Sequence, residues 1–255
     1  MGYKHMKIAV FHGSPRTHGR AATECVGFAF GCDQPRKGNT YFAAKIFMDE
    51  LSKCGQAEFT EFFLPQAMPE FCTGCQQCLG GPREKCPHAR HVTPVLEAIL
   101  AADALVFTTP HFSGGMSGSM KNLLDHLDFL TMNVAPRREI FGKKAFIITT
   151  GAGSAAAVRP IRGFLKNWGV NRVRSLGLRM FTNEWGGMPK AKQARFEKKL
   201  RVSARKFYST HKKRPYISTI FMYYMFMFVI KKYIGNGNYP YEYWTENNFF
   251  KKRPF

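Results

Sequence analysis

Five short apolar runs alternate along this chain with segments of helical length, and this alternation restricts the fold more than any other feature. The runs predict the strands Lys7–Phe11, Glu58–Leu64, Ala104–Thr109, Ala145–Thr150 and Val173–Phe181. The segments between them predict the helices Thr40–Lys53, Val92–Ala102, Ser119–Leu130 and Ala155–Trp168. Strands that are separated by helices form a parallel sheet with helices on both faces. We therefore predict a doubly wound α/β domain with a five-stranded parallel sheet.

The loops that follow three of these strands are rich in glycine and in hydroxyl side chains. They are Gly13–Arg16, Thr109–His126 and Thr149–Ala157. Ligands of such sheets bind at the carboxyl ends of the strands. Hydroxyls, backbone N–H groups and an arginine near the start of a helix suit a phosphate, and glycines allow the backbone to approach a flat ring closely. Together the three loops predict a site for a planar ligand that carries a phosphate.

These residues resemble the flavodoxin-like, NAD(P)H-dependent FMN reductases, and within that family the iron-sulfur flavoproteins. The resemblance extends from about Lys7 to Phe181. Its motifs are Gly13-Ser14-Pro15-Arg16, Gly38-Asn39-Thr40, Pro110 to Lys121 with Asp125, and Cys72-Cys75-Cys78-Cys86. It implies a flavodoxin-like fold, bound FMN and NAD(P)H as the electron donor.

The resemblance also assigns residues to the cofactor. In the family the Gly-Ser-Pro-Arg turn leads within a few residues into Gly-Asn-Thr, whereas residues 17–36 separate the two motifs here. We expect this insertion to be looped out, so that the two halves of the phosphate site meet in space. The insertion itself is either a flap above the flavin or a surface excursion without function. The implied FMN contacts are Ser14, Arg16, Gly38, Asn39 and Thr40 at the phosphate, and Pro110, His111, Phe112, Ser113, Gly114, Gly115, Met116, Gly151, Ala152 and Gly153 around the ring.

His111 is the candidate catalytic side chain. Relatives often have an aromatic residue after the proline, and this chain has His111 followed by Phe112. Either ring could lie against the flavin, and His111 could also donate a hydrogen bond to it. A structural or solvated histidine is the alternative. Hydride transfer between nicotinamide and flavin requires no acid or base, so the protein's main task is to stack and orient the reactants.

Four cysteines, Cys72, Cys75, Cys78 and Cys86, lie within one 15-residue window with the spacing C-x2-C-x2-C-x7-C. Three thiolates at that pitch can hold one face of a 4Fe-4S cluster while the fourth arrives from a short loop. Structural zinc sites more often pair two knuckles at a longer separation. Flavin-only relatives carry cysteines in this loop as free thiols. The sequence leaves a 4Fe-4S cluster and four free thiols as open alternatives.

Positive charge is concentrated toward the C-terminus. The chain has 38 Lys and Arg against 17 Asp and Glu, and residues 189–255 contain 16 basic and 3 acidic side chains. Such a field attracts anionic partners of several kinds. No nucleic-acid-binding motif accompanies it, and many of the charges lie on the predicted helix Lys190–His211, where a solvated face is the simpler interpretation. We therefore expect no nucleic-acid partner. The cysteine usage and the absence of a signal-peptide pattern at the N-terminus favour the cytoplasm.

The segment Tyr216–Ile230, YISTIFMYYMFMFVI, is apolar on every side. As a helix its 15 residues reach about 22 Å, less than the hydrocarbon core of roughly 30 Å, so we do not expect it to span a membrane. Packing on a second subunit is the favoured interpretation, because the run lacks a polar face, and a position at a membrane surface is the alternative. We divide the chain into an FMN-binding domain, residues 1–185, and a basic helix with an apolar C-terminal arm, residues 186–255.

The resulting prediction is an FMN-dependent enzyme that takes electrons from NAD(P)H and passes them to a small-molecule or protein acceptor. The acceptor would be a quinone, a nitro compound, a flavin or an electron carrier, reached through a 4Fe-4S cluster if the cysteines hold one. A non-enzymatic, flavodoxin-like electron-transfer protein that docks on partners is the main alternative. A third interpretation is a membrane- or nucleic-acid-binding protein that uses the fold as a scaffold without flavin.

Overall fold

The computed structural model describes residues 5–16, 38–182, 184–210 and 215–255. Its centre is one five-stranded sheet in which every neighbouring pair of strands is parallel, in the order β2-β1-β3-β4-β5. The strands are β1 Met6–His12, β2 Ala57–Phe63, β3 Ala104–Pro110, β4 Lys144–Gly151 and β5 Arg172–Arg179. The predicted parallel sheet is confirmed. From β1 the strand order proceeds to β2 on one side and to β3 on the other, so the topological switch point lies between β1 and β3. Ligands of such sheets bind at this point, outside the carboxyl ends of the strands.

Nine α-helices occur in the described part of the chain, and they cover both faces of the sheet. They are α1 Asn39–Cys54, α2 Leu64–Ala67, α3 Ala89–Ala101, α4 Gly118–His126, α5 Arg138–Phe141, α6 Ser154–Asn167, α7 Lys190–Tyr208, α8 Ile217–Val229 and α9 Tyr239–Glu246. The four helices predicted between the strands are present, although their ends differ. For example, α4 ends at His126, and the residues expected to continue it form a short 3-10 turn, Asp128–Leu130.

Burial explains why the inner strands read as continuous apolar runs. Every residue of β3 is buried, because helices cover it from both sides, whereas β2 at the edge of the sheet is largely half-buried or exposed. One core lies between the sheet and α1 with α7, where Phe47, Phe146 and Phe207 meet. The other lies on the opposite face and includes residues of α3, α4, α6 and the C-terminal arm.

The basic helix α7 packs on the sheet domain through an apolar stripe. Its residues Phe196, Leu200, Ala204 and Phe207 are buried. On the neighbouring α1 the carboxylate of Glu50, only 4% exposed, accepts a hydrogen bond of 2.5 Å from Arg205 Nε. Arg201 lies 3.8 Å from the same carboxylate, whereas Lys198, Lys199 and Lys206 are exposed, as expected for a solvated helix surface.

The C-terminal arm forms a longer helix than the sequence predicted. A π-helical turn, Ile230–Ile234, extends α8, so that the continuous helix runs over 18 residues from Ile217 to Ile234. Among the described residues this helix is long and apolar enough, by length and composition, to cross a membrane. The helix is therefore 18 residues long, rather than the 15 of the apolar run in the sequence. Only 17% of the helix is buried inside the protein.

The buried residues of α8 share one side of the helix. Tyr223 stacks on Trp244 of α9 with ring centroids 5.3 Å apart, and its hydroxyl donates a hydrogen bond to the Phe249 carbonyl. Thr219 and Ile230, one turn before and two turns after Tyr223, are also buried. The chain's own core thus covers the inner side of a helix that was expected to need a partner on every side.

Candidate functional site

Three loops meet at the carboxyl edge of the sheet, and we call them the carboxyl-edge loops: Gly13–Arg16 after β1, Pro110–Ser117 after β3, and Gly151–Gly153 after β4. The Gly13 N–H donates to the Thr108 carbonyl over 2.7 Å, and the His111 N–H donates to the Thr150 carbonyl over 2.8 Å. These bonds continue the strand pairing into the loops. The predicted convergence of the three loops is therefore present.

The two halves of the expected phosphate site lie side by side. Ser14 is buried, and its hydroxyl accepts a hydrogen bond of 3.3 Å from the Arg16 N–H. A methyl group on Gly38 would lie 3.2 Å from Ser14 Oγ and 3.5 Å from Arg16 Cβ. The Gly-Ser-Pro-Arg turn and the start of α1 are thus in contact, although the predicted insertion separates them in sequence. The insertion itself, with its two alternative roles, lies outside the described residues.

The first residues of α1 connect it to the ends of β4 and β5. Asn39 Nδ2 donates to the Thr182 carbonyl over 2.7 Å, and Thr40 Oγ1 lies 2.6 Å from Thr150 Oγ1. Gly38 caps the helix in an extended conformation without a side-chain cap bond. The Thr40 hydroxyl, which the sequence assigns to phosphate, is therefore already engaged with another hydroxyl of the protein.

The loop after β3 forms a tight turn that stands away from the sheet. Phe112 and Gly115 pair through two backbone hydrogen bonds, 2.9 and 2.8 Å long. Ser113 and Gly114 between them have positive φ angles of 43° and 82°. Phe112, Ser113 and Gly114 are exposed, and a methyl group on Gly114 or Gly115 would meet no atom within 4 Å. This turn offers backbone and one aromatic ring to an open space.

The half-buried ring of His111 lies against the loop after β4. A methyl group on Gly153 would come within 2.7 Å of His111 Nε2, and one on Gly151 within 3.1 Å of His111 Cβ. The glycines therefore allow the two loops to approach each other, and Gly151 also has a φ of 123° that disfavours other residues. His111 thus packs between predicted ring-binding residues, while its catalytic role stays a prediction. Ala152, at the tip of the loop, is exposed.

Sequence reasoning missed Ser117, which connects the loops. Ser117 caps α4 by accepting a bond from the Met120 N–H, its hydroxyl donates to the Gly13 carbonyl, and its own N–H donates to Thr109 Oγ1 over 3.0 Å. It is 1% exposed. A serine immediately before a helix with apolar periodicity is an N-cap signal, so the sequence did contain a pointer to this residue.

His12, another residue missed by sequence reasoning, lies buried at the base of the site. Its Nε2 is 2.9 Å from Glu61 Oε2 and its Nδ1 is 3.2 Å from Thr108 Oγ1. Its ring stacks on Phe63 with a centroid distance of 4.7 Å. The residue directly precedes Gly13, so this pairing fixes the point at which β1 enters its loop.

The cysteine loop is attached to α4 through Asn122. The buried Asn122 side chain accepts from the Cys72 N–H over 3.0 Å and donates to the carbonyls of Met68 and Glu70 over 3.1 and 2.9 Å. Nearby, His88 Nδ1 lies 2.9 Å from His126 Nε2. These bonds place the start of the loop firmly beside the helix that follows the β3 turn.

All four predicted cluster ligands are free cysteines on this loop, with Cys75 exposed and the others half-buried. Burial raises the pKa of the Cys78 thiol to about 11, and the nearby Cys86, Cys72 and Cys75 add to the increase. Burial likewise raises the pKa of Cys86. No group of three or more His, Cys, Asp or Glu among the described residues is arranged to hold a metal ion. The four thiols are thus neighbours of the right chemistry for a cluster, and the cluster itself stays a prediction.

The carboxyl edge fits a ligand with a phosphate and a flat ring. In the part of the chain that the structure describes, the buried atoms Asn39 Oδ1, Thr149 Oγ1 and Thr182 Oγ1 have no hydrogen-bond partner in the protein. Buried polar atoms are normally bonded, so the unpaired acceptor Asn39 Oδ1 at the start of α1 leaves a place for a donor group of a ligand, such as a hydroxyl. The glycines of the β3 turn leave open space at the same edge of the sheet.

Comparisons with known proteins agree with this fold. The chain is 32% identical over 124 residues to an iron-sulfur flavoprotein of Archaeoglobus fulgidus, an alignment that covers 48% of this chain and 58% of that protein. The chain thus spans little more than half the length of this curated relative.

Solved structures share the architecture at low sequence identity. The azoreductase from Bacillus anthracis str. Sterne aligns with a TM-score of 0.56 at 15% identity, covering 79% of this chain and all of that one. The NAD(P)H:quinone oxidoreductase from Methanothermobacter marburgensis aligns with a TM-score of 0.55 at 17% identity, covering 82% of this chain and all of that one. At such identities the likeness concerns the fold, and it confirms the expected flavodoxin-like architecture.

The sequence model of the NADPH-dependent FMN reductases matches residues 6–178, from the start of β1 to the last residue but one of β5. This stretch contains the carboxyl-edge loops, the start of α1 and the cysteine loop. The chain therefore belongs to the NADPH-dependent FMN reductase family.

Proposed function

We propose that this chain binds FMN at the carboxyl-edge loops and acts as an oxidoreductase that takes electrons from NAD(P)H. The observation that carries the proposal is the contact between the Ser14 turn and Gly38 at the start of α1, beside the open glycine turn after β3. One half of this site offers a hydroxyl and helix N–H groups to a phosphate, and the other half offers backbone to a ring. Membership of the FMN reductase family supports the same ligand.

Specific residues would hold each part of the cofactor. Ser14, Arg16 and Gly38, which lie against one another, would surround the phosphate together with the start of α1, Asn39 and Thr40. The Phe112–Gly115 turn and the Gly151–Gly153 loop would lie against the ring. When bound, FMN supplies the redox chemistry, since it can accept a hydride and release electrons singly or in pairs. The chain's residues bind and orient the reactants.

The electron acceptor is proposed at the level of chemical class. A quinone, a nitro compound, a free flavin or a protein electron carrier would each accept electrons from reduced flavin. Two proteins of the same fold are named for quinone and azo substrates, and these names support an aromatic acceptor. The exposed Phe112, with 46% of its surface accessible, is a ring on which a flat acceptor could stack.

Steady-state kinetics of the FMN-loaded chain tests this proposal. We expect oxidation of NADH or NADPH that requires FMN and is stimulated by a quinone or a nitroaromatic compound. Stoichiometric FMN binding without NAD(P)H oxidation would favour the alternative, an electron-transfer protein that docks on partners. Purification without flavin, and failure to bind added FMN, would contradict both.

We also propose the four cysteines as ligands of a 4Fe-4S cluster. Support comes from their spacing, from their common loop and from the relative named an iron-sulfur flavoprotein. Anaerobically purified protein should contain iron and acid-labile sulfide near four atoms of each per chain. Bound FMN with neither iron nor sulfide, after attempted reconstitution, would leave four thiols and an FMN reductase without a cluster.

A further inference from the structure

The outer side of α8 is a continuous apolar surface. Its residues recur at steps of three and four, which places them on one side of a helix. We call this surface the outer face of α8, and it consists of Ile217, Phe221, Tyr224, Met225 and Phe228. Ile217 is 86% exposed and Phe221 is 69% exposed. A contiguous exposed patch of this kind marks an interaction site.

The inner side of the same helix is held by the protein. Thr219, Tyr223 and Ile230 are buried, and the Tyr223 ring and hydroxyl contact Trp244 and Phe249. To cross a bilayer, α8 would have to give up these contacts and expose the aromatic cluster beneath it. The helix therefore presents its outer face while it lies flat on the domain.

Positive charge lies at the C-terminal end of this face and, in the sequence, just before α8. Lys231 and Lys232 at its C-terminal end are exposed, and Lys232 Nζ lies 5.4 Å from the centroids of both the Phe228 and the Tyr233 rings. In the sequence, Lys212, Lys213 and Arg214 come shortly before α8. No Asp or Glu occurs between residues 198 and 241. An apolar, aromatic face next to exposed lysines, on a segment without carboxylates, is complementary to an anionic surface with an apolar interior.

We propose that the outer face of α8 docks this protein on an anionic lipid surface, with the helix axis in the plane of the membrane interface. The rings of Phe221, Tyr224 and Phe228 would enter the boundary between headgroups and acyl chains, where aromatic side chains are favoured. Lys231 and Lys232 would contact anionic headgroups. This proposal goes beyond the redox function and does not depend on it.

A second copy of the chain is the competing occupant. The sequence favoured packing on a second subunit, because the helix is apolar on every side. In the structure, however, residues of the same chain cover the inner side. A two-fold contact through the outer face would bring together two segments that are rich in Lys and Arg and contain no carboxylate. Like charges oppose that contact, whereas an anionic membrane is attracted by the same charges.

Vesicle co-sedimentation of the full-length protein tests the proposal. We expect binding to phosphatidylcholine vesicles that contain about one-third phosphatidylglycerol, and binding at least about tenfold weaker to phosphatidylcholine alone. Replacing two exposed rings, Phe221→Ser with Phe228→Ser, should reduce binding to the anionic vesicles about tenfold or more. Val202→Ser, an exposed apolar residue on α7, is the control and should leave binding unchanged.

A pair of charge variants separates local docking from net charge. Lys231→Gln with Lys232→Gln should weaken binding clearly more than Lys198→Gln with Lys199→Gln, because the latter pair is exposed on α7, away from the outer face. Equal loss in the two double variants would show attraction by overall charge and would overturn the proposal. Absence of vesicle binding would also overturn it. A third result would overturn it as well: a wild-type dimer that does not bind vesicles and that becomes a monomer in the F221S/F228S variant, as measured by sedimentation. A second copy of the chain would then be the occupant of the outer face.

Discussion

At the scale of single residues, we predict that the Ser14 hydroxyl binds the phosphate. It lies in the turn after β1, next to the Arg16 backbone and to Gly38 at the start of α1. Thr40, by contrast, uses its hydroxyl in a bond with Thr150. The two side chains that the sequence treated alike therefore have different surroundings, and Ser14 should contribute more to binding the cofactor.

Ser14→Ala should weaken FMN binding by roughly tenfold to a hundredfold. A hydrogen bond to a charged group contributes about 1.5–3 kcal/mol, which corresponds to this range of affinity. Fluorescence titration of the apoprotein with FMN measures the change. Ser209→Ala, at an exposed position after α7, is the matched control. Equal affinities for wild type and Ser14→Ala would contradict the assignment of the phosphate site.

Cys75 and Cys78 should differ in reactivity in metal-free protein. The thiolate is the reactive form, and with a pKa of about 11 only about one Cys78 thiol in a thousand is ionised near pH 8. Cys75 is exposed, so alkylation followed by mass spectrometry should label it first. Labelling of Cys78 should become about tenfold faster for each unit of pH up to that pKa. Faster labelling of Cys78 than of Cys75 near neutral pH would show that the loop has another conformation.

At the scale of elements, α8 shows how one helix can carry two unlike surfaces made of similar residues. Tyr223 and Tyr224 are adjacent in sequence, yet Tyr223 is 1% exposed and Tyr224 is 42% exposed. Because successive residues on a helix point about 100° apart, the first faces the core and the second faces outward. Substitutions of these two neighbours therefore form a matched pair for measuring how much the inner side of α8 contributes to the free energy of unfolding.

Tyr223→Ala should lower the free energy of unfolding by about 3–5 kcal/mol, the usual cost of removing a large aromatic side chain from a core. Tyr224→Ala should cost less than about 1 kcal/mol, since its ring remains largely in water in the native state. Chemical denaturation of both variants measures the difference. Similar values for the two would mean that α8 does not pack on the domain through Tyr223.

At the scale of the whole molecule, the C-terminal arm completes one of the two cores. Buried residues of the arm, including Tyr223, Trp244 and Phe249, belong to the same cluster as side chains from β1, β3, α3, α4 and α6. Arg138 adds polar attachment by donating to the Asn247 carbonyl over 2.8 Å and to the Arg253 carbonyl over 3.1 Å. The sheet domain therefore relies on the arm for part of its interior.

Deletion of residues 216–255 should destabilise the sheet domain rather than release it intact. The truncated chain would expose the apolar side chains of α5 and α6 that the arm covers, and each large buried side chain contributes about 1.5–3 kcal/mol. We expect a large drop in melting temperature and aggregation, measured by thermal unfolding and light scattering. A truncated protein that keeps its melting temperature and solubility would show that the arm is dispensable.

The sequence by itself determined the sheet. Strands that are buried on both faces need mostly apolar residues, and β1, β3 and β4 consist mainly of such residues. It also determined which loops form the site, since all parallel strands end at one edge and the glycine motifs follow those ends. The positions of Gly13–Arg16, Pro110–Met116 and Gly151–Gly153 could therefore be inferred without coordinates.

Only the tertiary structure decided which groups contact one another across the chain. The contact between Ser14 and Gly38, the bond between Thr40 and Thr150, and the connecting role of Ser117 depend on distances between segments that no local pattern encodes.

The same is true of α8, whose sequence is apolar on all sides. Its inner side became part of the core because Trp244 and Phe249 return to it from later in the chain, whereas its outer face stayed exposed. Local composition sets what a helix can bury, whereas long-range packing decides which side it buries.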